Sequence, residues 1–182
     1  MAVRSAGLLV HRLVPGTDRP VDPDRAPAEA EGAAGARLGV EVLLAHPGGP
    51  LWARRDDGWW TVPKGELAPG EEPVAAADRE FAEELGLAPP AGLRVPLGEV
   101  VQAGGKHVVA FAVRGDVDVA AVTPGTTEIE WPPRSGRRLS VPEVDRAAWF
   151  GLAAARTKLL RGQLPFLDRL EHLVRTGARP AG

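Results

Sequence analysis

One acidic segment, GELAPGEEPVAAADREFAEELGL (residues 65–87), holds the side chains best suited to chemistry in this 182-residue chain. It contains six glutamates and one aspartate but a single arginine. The i, i+3 and i+4 spacing of Glu80, Glu83 and Glu84 places their carboxylates side by side within one helical turn, where each like-charged pair costs about 0.2–0.5 kcal/mol. Clustered carboxylates beside substrate phosphates are the ligands that Mg²⁺ prefers. The segment therefore predicts a metal platform.

The local pattern predicts a turn followed by an amphipathic helix. APGE matches a type II turn with Gly70 at the position that requires positive φ, and Pro73 suits the first turn of a helix. An apolar stripe at helical spacing is expected to face the core, formed by Val74, Ala77, Phe81 and Leu85. Arg79 lies on another side, where we expect it to brace one glutamate without neutralising them all. The alternative is a solvated acidic helix face, but such a face usually mixes charges.

The segment resembles the Nudix box, and every defined position of that motif is filled. The matching residues are Gly65, Glu71, Arg79, Glu80, Phe81, Glu83, Glu84, Gly86 and Leu87. The resemblance implies a single Nudix hydrolase domain over residues 1–182, with an α/β fold in the form of an α/β/α sandwich with a mixed β-sheet. It also implies cleavage of a phosphoanhydride bond in a nucleoside diphosphate linked to another group.

The resemblance further implies roles for the motif residues. Glu80, Glu83 and Glu84 would ligate one or more Mg²⁺ or Mn²⁺ ions together with the backbone carbonyl of Gly65. Arg79 and Glu71 would hold the catalytic glutamates in place. Glu80 is the first choice for the general base and Glu83 the second. A carboxylate outside the motif remains open for that role, with a surface position as the alternative for each candidate: Glu128, Glu130 and Glu143.

Two lysines and one tryptophan are candidates for substrate binding. Lysine is rare in this arginine-rich chain, and Lys64 stands at the mouth of the acidic segment while Lys106 follows a double glycine at a strand start. A compact ammonium suits a phosphate, although chance placement is the alternative. Trp52 is a candidate to stack on a base. One of Trp59 and Trp60 is expected in the core, because adjacent strand residues face opposite sides.

The remaining sequence predicts strands that alternate with helices. Val- and Leu-rich runs predict strands over residues 5–14, 39–46, 95–102 and 107–116, with a short strand in WWTVPKG and a hairpin turn in AGGK. Residues 147–177 predict one or two terminal helices, broken around Gly162 and Pro165. Residues 15–38 are rich in Pro, Ala and Gly and are interpreted as a flexible insertion.

Composition limits the function classes. The chain has no cysteine, which excludes disulfides and a cysteine nucleophile and fits a reducing compartment, so we expect a cytoplasmic protein. The N-terminal apolar run is too short to span a membrane, and no membrane association is expected. A net charge of −2 and a pI near 6.1 argue against DNA binding. A nucleotide as small-molecule substrate remains compatible, and the oligomeric state is not indicated.

The segment WTVPKGEL is similar to the corresponding sequence of dinucleoside polyphosphate hydrolases. Dinucleoside polyphosphates are therefore the first substrate hypothesis and modified nucleoside triphosphates the second. The chain departs from relatives that carry a tyrosine after the motif, because it has no tyrosine. Two alternatives remain. One is an RNA 5′-triphosphate pyrophosphohydrolase, for which PPRSGRR would begin a basic channel. The other is a non-catalytic Nudix module that senses a ligand.

Overall fold

The computed structural model describes residues 4–15 and 38–177. Its first half contains strands β1 (Arg4–Pro15), β2 (Leu38–Pro47), β3 (Lys64–Glu66), β4 (Val95–Val101) and β5 (His107–Arg114), with helix α1 (Pro73–Leu85) between β3 and β4. Its second half contains β6 (Thr126–Glu130), β7 (Arg138–Pro142), β8 (Val144–Gly151), α2 (Leu152–Lys158) and α3 (Leu164–Thr176). The predicted insertion at 15–38 falls, between its end residues, outside the described residues.

A mixed sheet forms the centre of the fold, with the strand order β4-β5-β1-β2-β8. β1 runs parallel to β5 and antiparallel to β2. The short strand β3 continues the β2 side of β1, with Gly65 opposite Ala6. This pairing brings the start of the acidic segment to the N-terminal end of β1. The β6–β7 hairpin forms a separate two-stranded sheet.

Apolar side chains fill both faces of the sheet, which makes the predicted α/β/α sandwich. On one face, Phe81 and Leu85 of α1 pack on a buried group that includes Leu8 of β1. On the other face, Phe166 and Leu170 of α3 pack on a second buried group. Burial of both faces explains why the strands are nearly continuous apolar runs rather than alternating ones.

Helix α1 follows its sequence pattern closely. Gly70 has φ +76°, as the turn requires, and Pro73 is the first helical residue. The helix ends at Gly86, which has φ +66° and whose N–H donates to the Ala82 carbonyl. The predicted core stripe was wrong at one position, because Val74 is exposed. Ala76 is buried in its place, so the core-facing stripe of α1 runs through Ala76, Ala77, Phe81 and Leu85.

The C-terminal third differs from the prediction in one strand. Residues 147–151, predicted as the start of a helix, belong to β8, which pairs antiparallel with β2. Sheet pairing there overrides the helical propensity of Ala147 and Ala148. The two terminal helices are confirmed, but Pro165 stands in the first turn of α3 rather than interrupting it. Among the described residues, no helix is long and apolar enough to cross a membrane.

A buried histidine fastens the loop after β2 to the start of β8. The side chain of His46 is fully buried. Its Nδ1 lies 2.7 Å from a carboxylate oxygen of Asp145, and its Nε2 lies 2.8 Å from the carbonyl oxygen of Arg55. The indole of Trp60 packs edge-on against the imidazole of His46, with 5.2 Å between the ring centroids. This histidine therefore contacts a residue that lies 99 positions away in the sequence.

Replacing His46 with leucine should destabilise the protein by about 1–3 kcal/mol, because the Asp145 carboxylate and the Arg55 carbonyl would lose their contacts with the ring nitrogens. Urea unfolding monitored by circular dichroism measures this change. The matched control is His172→Leu, at an exposed position on α3, which should stay within about 0.5 kcal/mol of the parent protein. Equal stability of the two variants would contradict a structural role for the buried ring.

Candidate active site

The site begins where β3 meets α1. The Glu80 carboxylate lies against the backbone of Gly65, and a Cβ at residue 65 would overlap both carboxylate oxygens. Only glycine therefore allows this side chain to approach the strand. The contact places the Glu80 carboxylate beside the backbone of Gly65. The sequence resemblance implied that these two residues would bind the same metal ion.

Glu84 occupies the buried side of the same cluster. Its Oε2 accepts a hydrogen bond of 2.9 Å from the backbone N–H of Lys64. Burial raises the pKa of Glu84 to about 7, against the opposing effects of the Lys64 charge and the Lys64 N–H. Burial also lowers the pKa of the Lys64 ammonium, although Glu84 favours its charged form. Lys64 is thus the nearest cation to the inner carboxylate.

Arg79 is the counter-charge of the outer carboxylates. Its guanidinium donates two hydrogen bonds to Glu71, at 2.9 and 2.8 Å. It also donates to Glu80 at 2.7 Å and to Glu83 at 2.9 Å. Its hydrogen bonds lower the pKa of Glu71 to about 2, assisted by the Ala68 N–H. The donor fork of Arg79 thus reaches three glutamates but not Glu84, so this arginine does not neutralise all of them.

The donor set suits a hard divalent cation. Glu80, Glu83 and Glu84 offer carboxylate oxygens and Gly65 a carbonyl oxygen, which are the donors that Mg²⁺ and Mn²⁺ bind. In the described part of the chain, no three acidic or histidine side chains converge as they lie. Two of the glutamates bond Arg79 and the third turns to the Lys64 N–H. The chemistry of the donors fits the cation, which would compete with Arg79 for them.

Glu143 is the outside carboxylate that reaches this cluster. Its charge contributes to the raised pKa of Glu84, after burial and the nearby Glu80. Its backbone N–H donates to the Gly125 carbonyl at 2.9 Å, and the Gly125 N–H donates to the Glu83 carbonyl at 3.3 Å. This pair of hydrogen bonds holds Glu143 next to α1.

The other two outside candidates are bonded within the β6–β7 hairpin. Glu128 pairs with Arg138 at 3.2 Å, and Glu130 accepts a hydrogen bond of 2.7 Å from the Gly136 N–H. Both are exposed surface glutamates. Of the three carboxylates that the sequence left open, the geometry places Glu143 beside the cluster.

The candidate substrate residues lie in two groups near the carboxylates. Lys106 is 3.7 Å from Glu66, and its charge is close enough to Lys64 to contribute to the lowered pKa of that ammonium. The two lysines therefore lie near each other. Trp52 lines a cavity that Glu143 also lines. As expected for one of the adjacent pair, Trp60 is buried.

Sequence reasoning missed the pair formed by His46 and Asp145. It ties the loop that carries Trp52 to the strand that follows Glu143. The only signal was the position of Asp145 two residues after a candidate carboxylate. Nothing in the sequence connects it to a histidine 99 positions away.

Comparison with solved structures gives the same fold at low sequence identity. A C. elegans Ap4A hydrolase in a binary complex is 18% identical with a TM-score of 0.55, over 96% of this chain and 98% of the other. The NUDIX domain of Shewanella oneidensis NrtR complexed with ADP ribose is 14% identical with a TM-score of 0.56, over 96% and 89%. A mutT/nudix family protein from Listeria innocua is 16% identical with a TM-score of 0.54, over 96% and 95%.

The family assignment rests on a sequence match. No curated protein sequence matches the chain significantly. The family model of the NUDIX domain, however, matches residues 35–170, which is well over half of the chain and includes the whole acidic segment. The chain therefore belongs to the NUDIX family of hydrolases, which act on phosphorus-containing acid anhydrides.

Proposed function

We propose that this protein is a metal-dependent hydrolase of nucleoside polyphosphates, with dinucleoside polyphosphates as the first candidates and modified nucleoside triphosphates as the second. The observation that carries the proposal is that three glutamates of one helical turn lie close to Lys64 and to Glu143. Carboxylates bind the cation, while lysines bind substrate phosphates. Such a site suits a ligand that is itself a polyanion.

The residues that would hold the cation are Glu80, Glu83, Glu84 and the carbonyl of Gly65. When bound, Mg²⁺ or Mn²⁺ neutralises phosphate charge and lowers the pKa of an attacking water. Arg79 keeps Glu80 and Glu83 on one side of the helix through its direct hydrogen bonds, and Glu71 fixes the guanidinium in turn. These two residues therefore act as positioning residues.

Water supplies the nucleophile and a carboxylate removes its proton. The water oxygen forms a bond to phosphorus as the bridging P–O bond breaks, and the leaving phosphate keeps the electron pair. Glu80 is the first candidate for the base, and its carboxylate lies against the backbone of Gly65. Glu83 is the second, and Glu143 is the candidate from outside the motif. Lys64 and Lys106 would hold the phosphates that are not attacked.

The structural neighbours support the substrate class. Their names include an Ap4A hydrolase and a NUDIX domain in complex with ADP ribose, and each of these compounds contains an adenosine joined to another group through a phosphoanhydride. The RNA alternative depends on the arginines at the β6–β7 turn, which are exposed. The sensing alternative would leave the complete carboxylate set without a catalytic use.

The direct test is hydrolysis of a panel of nucleotides with Mg²⁺ or Mn²⁺ and, separately, with EDTA. The panel contains diadenosine polyphosphates, nucleoside triphosphates, ADP-ribose and a 5′-triphosphate RNA, and anion-exchange chromatography identifies the products. Cation-dependent cleavage of a dinucleoside polyphosphate supports the proposal. Cleavage of RNA alone, with a steep fall in rate as salt rises, would favour the RNA alternative. Binding without cleavage would favour a sensing module.

Replacing Glu83 with glutamine should lower kcat/KM on the order of 10²-fold or more while the fold is kept, because the amide cannot supply the charge that holds the cation. Glu72→Gln is the matched control, since that glutamate is exposed and its side chain does not cap the helix. Steady-state kinetics and circular dichroism measure the two effects. Near-parent activity of the Glu83 variant would contradict the metal platform.

Replacing Lys64 with glutamine should raise KM for a polyphosphate several-fold with a smaller change in kcat, because one ammonium contact to a phosphate is lost. The backbone N–H that bonds Glu84 is unchanged by this substitution. Arg175→Gln, at an exposed position near the end of α3, removes one positive charge elsewhere and should leave both constants unchanged. Unaltered KM in the Lys64 variant would remove that lysine from the substrate site.

A further inference from the structure

A cavity of about 340 Å³ lies on the face of the sheet that α3 covers, away from the acidic segment. His11 lines it from β1. This histidine shares a face with Leu9, which belongs to the buried group under α3, because residues two apart along a strand face the same side. Ala6, which pairs with Gly65 of β3, lies further back along β1 by about 16 Å. The cavity is therefore separate from the carboxylate cluster.

The lining of this cavity combines apolar side chains with one cation. Arg114 of β5 is the partner of His11 in the parallel pairing of β1 with β5. Its side chain is exposed, and it forms no hydrogen bond or ion pair within the part of the chain that the structure describes. No carboxylate is among the described lining residues. The apolar walls are formed by Leu13, Leu93, Val95, Leu173 and Val174.

His11 is a buried polar group that the fold does not satisfy fully. The residue is 7% exposed, and its Nδ1 is buried without a hydrogen-bond partner in the described structure. Burial and the nearby Arg114 charge lower the pKa of His11, against the opposing effect of the Val113 backbone. The imidazole is therefore mainly neutral near pH 7. Because buried polar atoms in native proteins are nearly always bonded, an unpartnered nitrogen at a cavity indicates a place for a further bond.

The fold itself holds the walls in place. Arg94 donates to the Gly92 carbonyl at 2.6 Å and to Asp78 of α1 at 3.0 Å, which fixes the loop that carries Leu93. Strand β4 continues from this loop, and its Val95 pairs with a residue of β5. Leu93 is 64% exposed at the rim. Covering this leucine with an apolar group would be favourable, because apolar surface would leave water.

We propose that this cavity binds a small amphipathic carboxylate, which is a molecule with one carboxylate group and an apolar body. The carboxylate bonds the Arg114 guanidinium, and the body lies among the leucines and valines of the walls. A single cation without a second one beside it favours a monoanion over a polyphosphate. The volume is near the lower end of the roughly 300–1,000 Å³ of small-molecule sites, which suits a ligand of this size.

His11 supplies the second polar contact. A neutral imidazole donates from whichever ring nitrogen carries the proton, and Nδ1 is the nitrogen that lacks a partner. Because that atom is buried, the ring turns about its Cβ–Cγ bond to reach the carboxylate. Ligand binding therefore changes the surroundings of this one histidine. The inference goes beyond the proposed hydrolase function and does not depend on it.

The test uses NMR of the histidine rings in the complete protein with EDTA present. The probe is 4-phenylbutyrate, the matched compound without the charge is 4-phenylbutan-1-ol, and acetate is the matched compound without the apolar body. We expect 4-phenylbutyrate to shift the His11 signals in a saturable way and the other two compounds to bind at least about tenfold more weakly. The His46 signals should stay unchanged, because that ring is already held by Asp145 and the Arg55 carbonyl.

Two exposed positions allow variants that keep the fold. Arg114→Gln should weaken binding of 4-phenylbutyrate by at least about fivefold, because a charge-assisted contact becomes a neutral one. Arg161→Gln, at an exposed position just before α3, removes a positive charge elsewhere and should bind as the parent does. Leu93→Ser should weaken binding several-fold through lost apolar contact, while Leu139→Ser, at an exposed position of β7, is its matched control.

Several outcomes would overturn the proposal. These are the absence of a saturable shift at His11, binding of the alcohol as tight as that of the carboxylate, and parent-like binding by both Arg114→Gln and Leu93→Ser. Acetate binding as tight as that of 4-phenylbutyrate would overturn the role of the apolar walls. Saturable binding by a protein that cleaves no nucleotide would support this site and contradict only the proposed hydrolase function.

Discussion

The structure depends on how it balances negative charge along one face of α1. Glu80, Glu83 and Glu84 stand within a single turn, where their mutual repulsion opposes the helix that carries them. Arg79 offsets the charge of the outer glutamates through four hydrogen bonds, two to Glu71 and one each to Glu80 and Glu83. These hydrogen bonds raise the pKa of Arg79, and those with Glu71 have the largest effect. Burial raises the pKa of the inner Glu84 to about 7, against the opposing effect of the Lys64 charge. A divalent cation at this face would offset the negative charge that Arg79 and Lys64 leave unbalanced.

The rest of the fold brings other groups to that charge. Pairing of β3 with the start of β1 presents the Gly65 backbone to Glu80. The segment before β8 adds Glu143, whose backbone links α1 to the loop after β2. Lysines and an apolar cavity thus both lie near the carboxylates. A substrate with a polyanionic part and an apolar part matches this combination of surfaces, and a nucleoside polyphosphate has both.

Local patterns predicted the parts of the structure that local physics decides. The turn at Gly70, the start of α1 at Pro73 and the mixed sheet were all predicted correctly. Val74 was misplaced because spacing along a helix does not decide which of its edge positions the sheet covers. Residues 147–151 were predicted as helix, but they form part of β8 because pairing with β2 outweighs the preference of the alanines. The sequence left Glu128, Glu130 and Glu143 equivalent, since only the folded chain brings one of them to Glu84.

The central claim is that the glutamates of α1 bind a divalent cation, and Mn²⁺ binding followed by electron paramagnetic resonance tests it most directly. The loss of the free Mn²⁺ signal is titrated in the parent protein and in variants without nucleotide. We expect at least one bound ion in the parent protein, with affinity reduced about 10–100-fold or more in Glu83→Gln and unchanged in Glu72→Gln. An equal loss of signal in all three proteins, or none in the parent, would contradict cation binding by these glutamates.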